Sequence, residues 1–260
     1  MKTFEFDGDQ YEKASRHQKE WGGKLLAQLR LKGSETILDL GCGDGALTEQ
    51  LSLLVPAGRV LGIDASAGMI QKAAEHRRDN LRFIQMDIRR MNFENEFDVI
   101  FSNAALHWVK DHVRLLGQAQ RALKSGGVIL WNFAGEGNCS NFFSVMRDML
   151  KDARYAPYFS GFQWPWYMPS VSEYRALAAA AGFSAYSVRE ENADRYFSDA
   201  DEMIRWIDQP SLVPFIGHMP ENMQAAFRSE VIAEMLRRTR QADGACFETF
   251  RRISFTAQKA

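Results

Sequence analysis

Five short apolar runs, at 36–40, 59–63, 81–85, 98–102 and 128–133, punctuate the first half of the chain. The segments between them, 46–54, 67–77 and 112–123, carry apolar residues at helical spacing. Strands that are apolar throughout and alternate with helices predict an α/β fold, doubly wound, with a parallel sheet covered on both faces. A helix is predicted over 9–30, with Tyr11, Ala14, Trp21, Leu25, Leu26 and Leu29 near one face. Past Phe133 the rhythm breaks into an aromatic stretch that includes Phe142, Phe143, Tyr155, Phe159, Trp164 and Trp166, with Pro157, Pro165 and Pro169. A helix follows over 170–181, capped by Ser170, with Glu173 in the capping-box position and Gly182 as its stop. Residues 183–191 then read as a strand, 198–208 and 221–239 as helices, and 250–256 as a last strand. The pattern predicts one domain over 1–260. Residues 1–133 form its binding core, and 134–170 and 198–245 are helical inserts forming a lid over the carboxyl ends of the strands.

Composition narrows the class. The chain has 260 residues, 46% of them hydrophobic, and 32 Lys plus Arg offset 33 Asp plus Glu. A near-neutral total gives no electrostatic footprint for a phosphate backbone, so nucleic acid is not the expected partner. The Arg-Arg and Lys-Arg pairs read as solvated faces. Residues 1–10 lack the apolar core of a signal peptide, and the longest apolar run, 128–134, is too short to span a bilayer. Cys42, Cys139 and Cys246 are odd in number and in no metal-ligand spacing. The expectation is a cytoplasmic protein without metal or membrane association.

The chemistry concentrates in Leu38-Asp39-Leu40-Gly41-Cys42-Gly43-Asp44-Gly45, a strand entering a glycine-rich turn and then a helix. Gly41, Gly43 and Ala46 formally satisfy the dinucleotide fingerprint. Asp39 and Asp44 argue against that ligand, because a carboxylate at the helix N-terminus repels a pyrophosphate. They suit S-adenosylmethionine, which has no phosphate and carries a sulfonium, an ammonium, a ribose and an adenine.

The stretch resembles motif I of class I S-adenosylmethionine-dependent methyltransferases. The resemblance continues through Gly62-Ile63-Asp64, Met86-Asp87-Ile88, Phe97-Asp98-Val99-Ile100-Phe101-Ser102-Asn103 and Leu123-Lys124-Ser125-Gly126-Gly127, covering about 36–133. Ser125 departs from the family, which often has Pro there. The resemblance implies a Rossmann-like, mostly parallel seven-stranded sheet and S-adenosyl-L-methionine as cofactor. It places Gly41, Cys42, Gly43 and Asp44 in the cofactor turn, with Asp39 beside them as a partner for the ammonium or as an internal acceptor. Asp64 accepts from the ribose hydroxyls, Asp87 from the adenine amine beside Ile88, and Ala65 and Met69 pack on the nucleoside. Asn103 closes the set.

Asn103-Ala104-Ala105-Leu106-His107-Trp108, with Tyr11, Ser15 and Gln18, resembles trans-aconitate and juvenile hormone acid methyltransferases, which methylate small-molecule carboxylates. The similarity to the trans-aconitate group extends to Phe250-Arg251-Arg252. Malonyl-carrier-protein methyltransferases share a related segment. A carboxylate, with an intrinsic pKa of about 4, needs no base, and a dry aromatic pocket that aligns it then does most of the catalysis. Trp108, Trp164, Trp166 and Tyr167 are candidate walls, Tyr11 a pocket residue and Gln18 an orienting donor. His107 is either a general base or a neutral junction residue; His17, His76, His112 and His218 read as surface or junction residues. N-, C- and hydroxyl-directed transfer, and a cofactor-binding interaction protein without turnover, remain as alternatives.

Overall fold

The computed structural model describes residues 16–260, with only the backbone of Arg16, His17, Gln18, Lys19 and Pro210. Tyr11 and the Gln18 side chain therefore lie outside the described residues. In chain order the elements are α1 (Arg16–Leu26), β1 (Thr36–Leu40), α2 (Ala46–Leu54), β2 (Arg59–Asp64), α3 (Ala67–Ala73), β3 (Leu81–Gln85), β4 (Phe97–Asn103), α4 (His112–Ala122) and β5 (Leu123–Ala134). They continue as α5 (Ser140–Met149), α6 (Val171–Ala180), β6 (Ala185–Asn192), β7 (Arg195–Phe197), α7 (Ala200–Trp206), α8 (Val213–Ile216), α9 (Glu221–Thr239), β8 (Cys246–Glu248) and β9 (Arg251–Gln258).

Seven strands form one sheet in the order β3-β2-β1-β4-β5-β9-β6. The pairs from β3 through to β5 are parallel, and β9 runs antiparallel to β5. Successive side chains of β1 feed opposite faces, as the two-residue period of a strand requires. Ile37 packs with Leu25, Leu26, Leu51 and Val60 in one cluster. Leu38 and Leu40 join Ile63, Ile100, Leu115, Leu116 and Ala119 in another. Burying each such side chain contributes about 1.5–3 kcal/mol. That double burial is what the apolar runs predict.

The chain divides into two compact units. The first runs to Glu136 and resumes over Trp166–Glu191 and Arg252–Ala260; it holds the sheet. The second comprises Gly137–Pro165 and Asn192–Arg251. The predicted inserts, 134–170 and 198–245, are thus redrawn at both ends. Trp166 to Ser170 stay with the first unit, while the antiparallel β7–β8 pair, which the sequence pattern missed, belongs to the second.

Helix α5 was also illegible, for a physical reason. Its N-cap, Cys139, has a left-handed backbone (φ 51°) and no side-chain capping bond. The cap comes from far away instead. The buried Glu248 accepts from the main-chain nitrogens of Asn141 (3.1 Å) and Phe142 (2.9 Å), and Thr249 Oγ1 accepts from Ser140 N (2.9 Å). Helix α6 shows the opposite case. Ser170 caps it by accepting from Glu173 N at 3.2 Å, as predicted, while the Glu173 carboxylate turns to the Tyr167 hydroxyl at 2.6 Å.

Candidate functional site

The glycine-rich turn leaves β1 and enters α2. Gly41 and Cys42 both donate their main-chain N–H to Ile63 O, at 2.8 and 3.0 Å, which binds the turn to the end of β2. Gly41 has φ +72°, and a Cβ there would stand 2.2 Å from that of Ala105, so the turn and the loop after β4 close on each other. Gly43 differs: its φ is +55°, yet a Cβ would meet nothing within 4 Å. The space before Gly43 is open, and a ligand can approach its backbone there.

Carboxylates surround this turn. Asp64 closes β2 half-buried, its Oδ2 accepting from Gly43 N (3.1 Å) and its Oδ1 from Ser66 N (2.9 Å). Ser66 caps α3 through Met69 N, so Asp64 is not that helix's cap. A carboxylate oxygen can accept more than one hydrogen bond, which is the chemistry a ribose hydroxyl calls for. Asp39 is buried beneath the turn and accepts from Thr48 Oγ1 at 2.7 Å. Burial raises its carboxyl to about 7; the Thr48 bond opposes the rise and the Asp64 charge adds to it. Asp39 thus makes an internal hydrogen bond beneath the turn. Asp44 Oδ1 accepts from Ala46 N at 3.2 Å, at the start of α2. Burial pushes the Cys42 thiol well up, keeping it protonated.

At the end of β3, Asp87 is gripped by Arg89, whose Nε bonds both carboxylate oxygens at 2.9 Å and whose terminal nitrogen bonds Oδ2. That hydrogen-bonded guanidinium holds the Asp87 carboxyl below its ordinary range. Ile88 and Met69 are buried, Ala65 is half-buried, and Ala65 O accepts from Gln85. An open turn flanked by carboxylates fits a cofactor with a ribose, an amine and a cation.

The second cluster follows β4. Asn103 pairs in register with Asn132 of β5, and Ala104 turns the chain with φ 57°. Leu106, His107 and Trp108 form a single helical turn. Three contacts fix it. Tyr167 N donates to His107 O at 2.8 Å, Trp108 packs on Trp166 with centroids 5.3 Å apart, and His112 Nε2 bonds Leu106 O at 3.0 Å. Because Nε2 faces a carbonyl it carries the proton, so Nδ1 accepts from Tyr174 O–H at 3.1 Å. Burial brings His112 down to about 4, and stacking on Tyr167 and Phe133 completes its seat. The reading of His112 as a surface or junction residue is corrected: it is a core residue at the helix start, hidden because its partners lie six and 62 residues away. Burial pushes His107 further, to about 3, with the charges of Arg252 and His112 acting the same way. Its Nδ1 is shut from solvent with no hydrogen-bond partner among the described residues.

Trp108, Trp166 and Tyr167 therefore come together in the first unit, whereas Trp164 packs with Phe143, Phe162 and Phe215 inside the second. The sequence pattern missed Arg252, which is buried on β9 and not on a solvated face. Strand alternation beside the more exposed Arg251 was the signal for it. Among the described residues no group of three His, Cys, Asp or Glu could hold a metal ion, and no helix is long and apolar enough to cross a membrane.

Residues 31–155 match the model of a methyltransferase domain. The chain is 31% identical to a trans-aconitate 2-methyltransferase of Variovorax paradoxus (strain S110) over 244 residues, 91% of each protein. It is 46% identical to the trans-aconitate 2-methyltransferase of Deinococcus radiodurans over 93 residues, 36% of this chain and 35% of that protein. Among solved structures it resembles the Haemonchus contortus phosphoethanolamine N-methyltransferase 2 bound to S-adenosyl-L-methionine. The TM-score is 0.62 at 22% identity, over 97% of this chain and 56% of that one, a likeness of fold alone. The chain belongs to the class I S-adenosylmethionine-dependent methyltransferase family. It is an enzyme that uses S-adenosyl-L-methionine.

Proposed function

We propose that the enzyme methylates a carboxylate of a small organic acid, giving a methyl ester. The observation that carries this reading is the chemistry of the turn after β4. His107 is held neutral with a pKa near 3, and both ring nitrogens of His112 are engaged. Burial leaves both histidines weak bases, poorly matched to taking a proton from a hydroxyl or ammonium at neutral pH. An acceptor that arrives ionised needs no such help. The names of the relatives, trans-aconitate 2-methyltransferases, support the same class and suggest trans-aconitate as the first acceptor to try.

The cofactor, when bound, supplies a methyl group on a positively charged sulfur. One carboxylate oxygen forms the new C–O bond as the C–S bond breaks and its electron pair passes to sulfur, so no proton moves. The opposite charges of sulfonium and carboxylate cancel in the transition state, and a dry site strengthens that gain. In this reading Asp64 and Asp87 hold the nucleoside, Asn103 lies at the meeting point, and the Trp108–Trp166 pair keeps water from the reacting atoms. Gln18 and Tyr11 belong to the acceptor side in the same proposal.

Labelled S-adenosylmethionine with trans-aconitate and a panel of di- and monocarboxylates tests the reading. The expected product releases labelled methanol in mild alkali, and His107→Ala loses far less than the roughly 10²–10⁴-fold of a missing base. An alkali-stable product whose formation collapses in His107→Ala would establish base-assisted hydroxyl or amine transfer instead.

A further inference from the structure

Asp87 and Arg89 form a unit of their own beyond the end of β3. Asp87 caps the single helical turn Ile88–Arg90, its Oδ1 accepting from Arg89 N at 2.9 Å. The Arg89 side chain then folds back onto the same carboxylate. Its Nε lies 2.9 Å from both oxygens, and a terminal nitrogen donates to Oδ2. Three N–H groups of one residue are thus spent on a carboxylate that can accept about four hydrogen bonds. The Asp87 side chain is still 20% exposed, so a ligand can reach the position that is left. From α4 the buried Gln118 donates through Nε2 to Arg89 O (3.2 Å) and Met91 O (2.7 Å), which anchors the turn. The charges of Arg89 and Arg90 both favour ionised Asp87, while α4 presents the uncharged Gln118.

The turn is already held through its main chain, by the Asp87 cap and the two Gln118 bonds. What the guanidinium adds is control of the carboxylate itself: the rigid fork fixes its rotation and keeps its proton off. We propose that Arg89 is a positioning residue for the cofactor's adenine, fixing Asp87 as an acceptor-only group with one position left for the exocyclic amine. This rests on the placing of Asp87 at the nucleoside in the reading above, and is independent of which acceptor is methylated. Its consequence is selection at carbon 6 of the purine. An amine there donates to the carboxylate. A carbonyl there sets two acceptors face to face, and a site built to take an N–H refuses the analogue without it. Only a protonated carboxyl could donate to that carbonyl. Without Arg89 the carboxyl can turn and take up a proton, so the refusal weakens as pH falls.

The test compares S-adenosylhomocysteine with its 6-oxo analogue, S-inosylhomocysteine, by calorimetry on the full chain from pH 5 to 8. Asp39 and Asp64 act on both ligands alike and cancel in the ratio of the two affinities. The wild type should prefer the amine about 10- to 100-fold, the range for a hydrogen bond to a charged group, with a ratio flat across these pH values. Arg89→Met should bind S-adenosylhomocysteine about 3- to 10-fold more weakly, as loss of a partly exposed ion pair implies. Its ratio should shrink toward pH 5, and Arg89→Lys should restore the flat profile. A purely structural Arg89 would lower the melting temperature and leave the ratio and its pH profile as in the wild type, which overturns the proposal. Tighter binding of S-adenosylhomocysteine by Arg89→Met also overturns it, since Arg89 would then compete with the amine, as does equal binding of both ligands by the wild type. Asp87→Ala separates the two readings. If both affinities survive it, Asp87 is not at the adenine and the assignment falls with that placing. If the preference is lost there but kept at every pH in Arg89→Met, the role of Arg89 alone is withdrawn.

Discussion

The two halves of the sheet carry different chemistry along the edge where the parallel strands end. Around β1, β2 and β3 stand Asp39, Asp64 and Asp87, with main-chain N–H groups and Arg89 bonded to the latter two. Around β4, β5 and β9 stand neutral histidines, aromatic rings and one buried guanidinium. A methyl donor is cationic and the proposed acceptor anionic, so under that proposal each half is matched to one reactant.

The sharpest way to break this contrast is at the glycines. Gly41→Ala adds a Cβ 2.2 Å from Ala105 and strains a positive φ; melting temperature and cofactor affinity should both fall, the affinity beyond ~100-fold. Gly43→Ala meets open space and costs only the left-handed backbone penalty of about 1–2 kcal/mol. It should spare most of the stability and still block the cofactor, as calorimetry with S-adenosylhomocysteine would show. Asp64→Ala should weaken S-adenosylmethionine and S-adenosylhomocysteine by about 1.5–3 kcal/mol; unchanged affinity would remove Asp64 from the ribose.

Tyr174→Phe probes the other half. It leaves His112 Nδ1 buried without its donor, at a cost of about 1–3 kcal/mol by denaturant titration, with cofactor affinity untouched. The smallest effect is a dependence on pH. Asp39 has its folded pKa raised to about 7, so its contribution to stability is full below about pH 4 and lost as pH rises through 7. Asp39→Asn removes that loss. Its melting temperature relative to wild type, without cofactor, should climb between pH 5 and 8, and a flat difference would show that Asp39 is not shifted. The two histidines, with folded pKa values of about 3 and 4, act in the opposite sense, losing stability as pH falls below about 6.5.

The acidic half was legible because its parts are neighbours in sequence. Asp39, Gly41, Gly43 and Asp44 lie within one strand and turn, and Asp64 ends the next strand after it. The other half is assembled from β4, β5, β6 and β9, and no local pattern joins Asn132 to Arg252, 120 residues away. Helix α5 shows the same rule in the second unit. Ser170 announces α6 from the adjacent position, while α5 takes its cap from Glu248, 107 residues from Asn141. Propensity and periodicity read what a segment does with its own residues. They are blind to a terminus that borrows.

Strand β9 sits between β5 and β6, and this placement sets an order in time. Strand β6 is at the sheet's margin, and its sole neighbour in the sheet is β9, which is made more than fifty residues later. Until those residues emerge, β6 has no place in the sheet and the β5 edge stays bare. The last step to close the sheet is also one of long sequence separation, the slow kind in folding. Arg252 arrives on that same strand. A partly made chain can therefore shape the glycine-rich turn before the buried cation has a place to go.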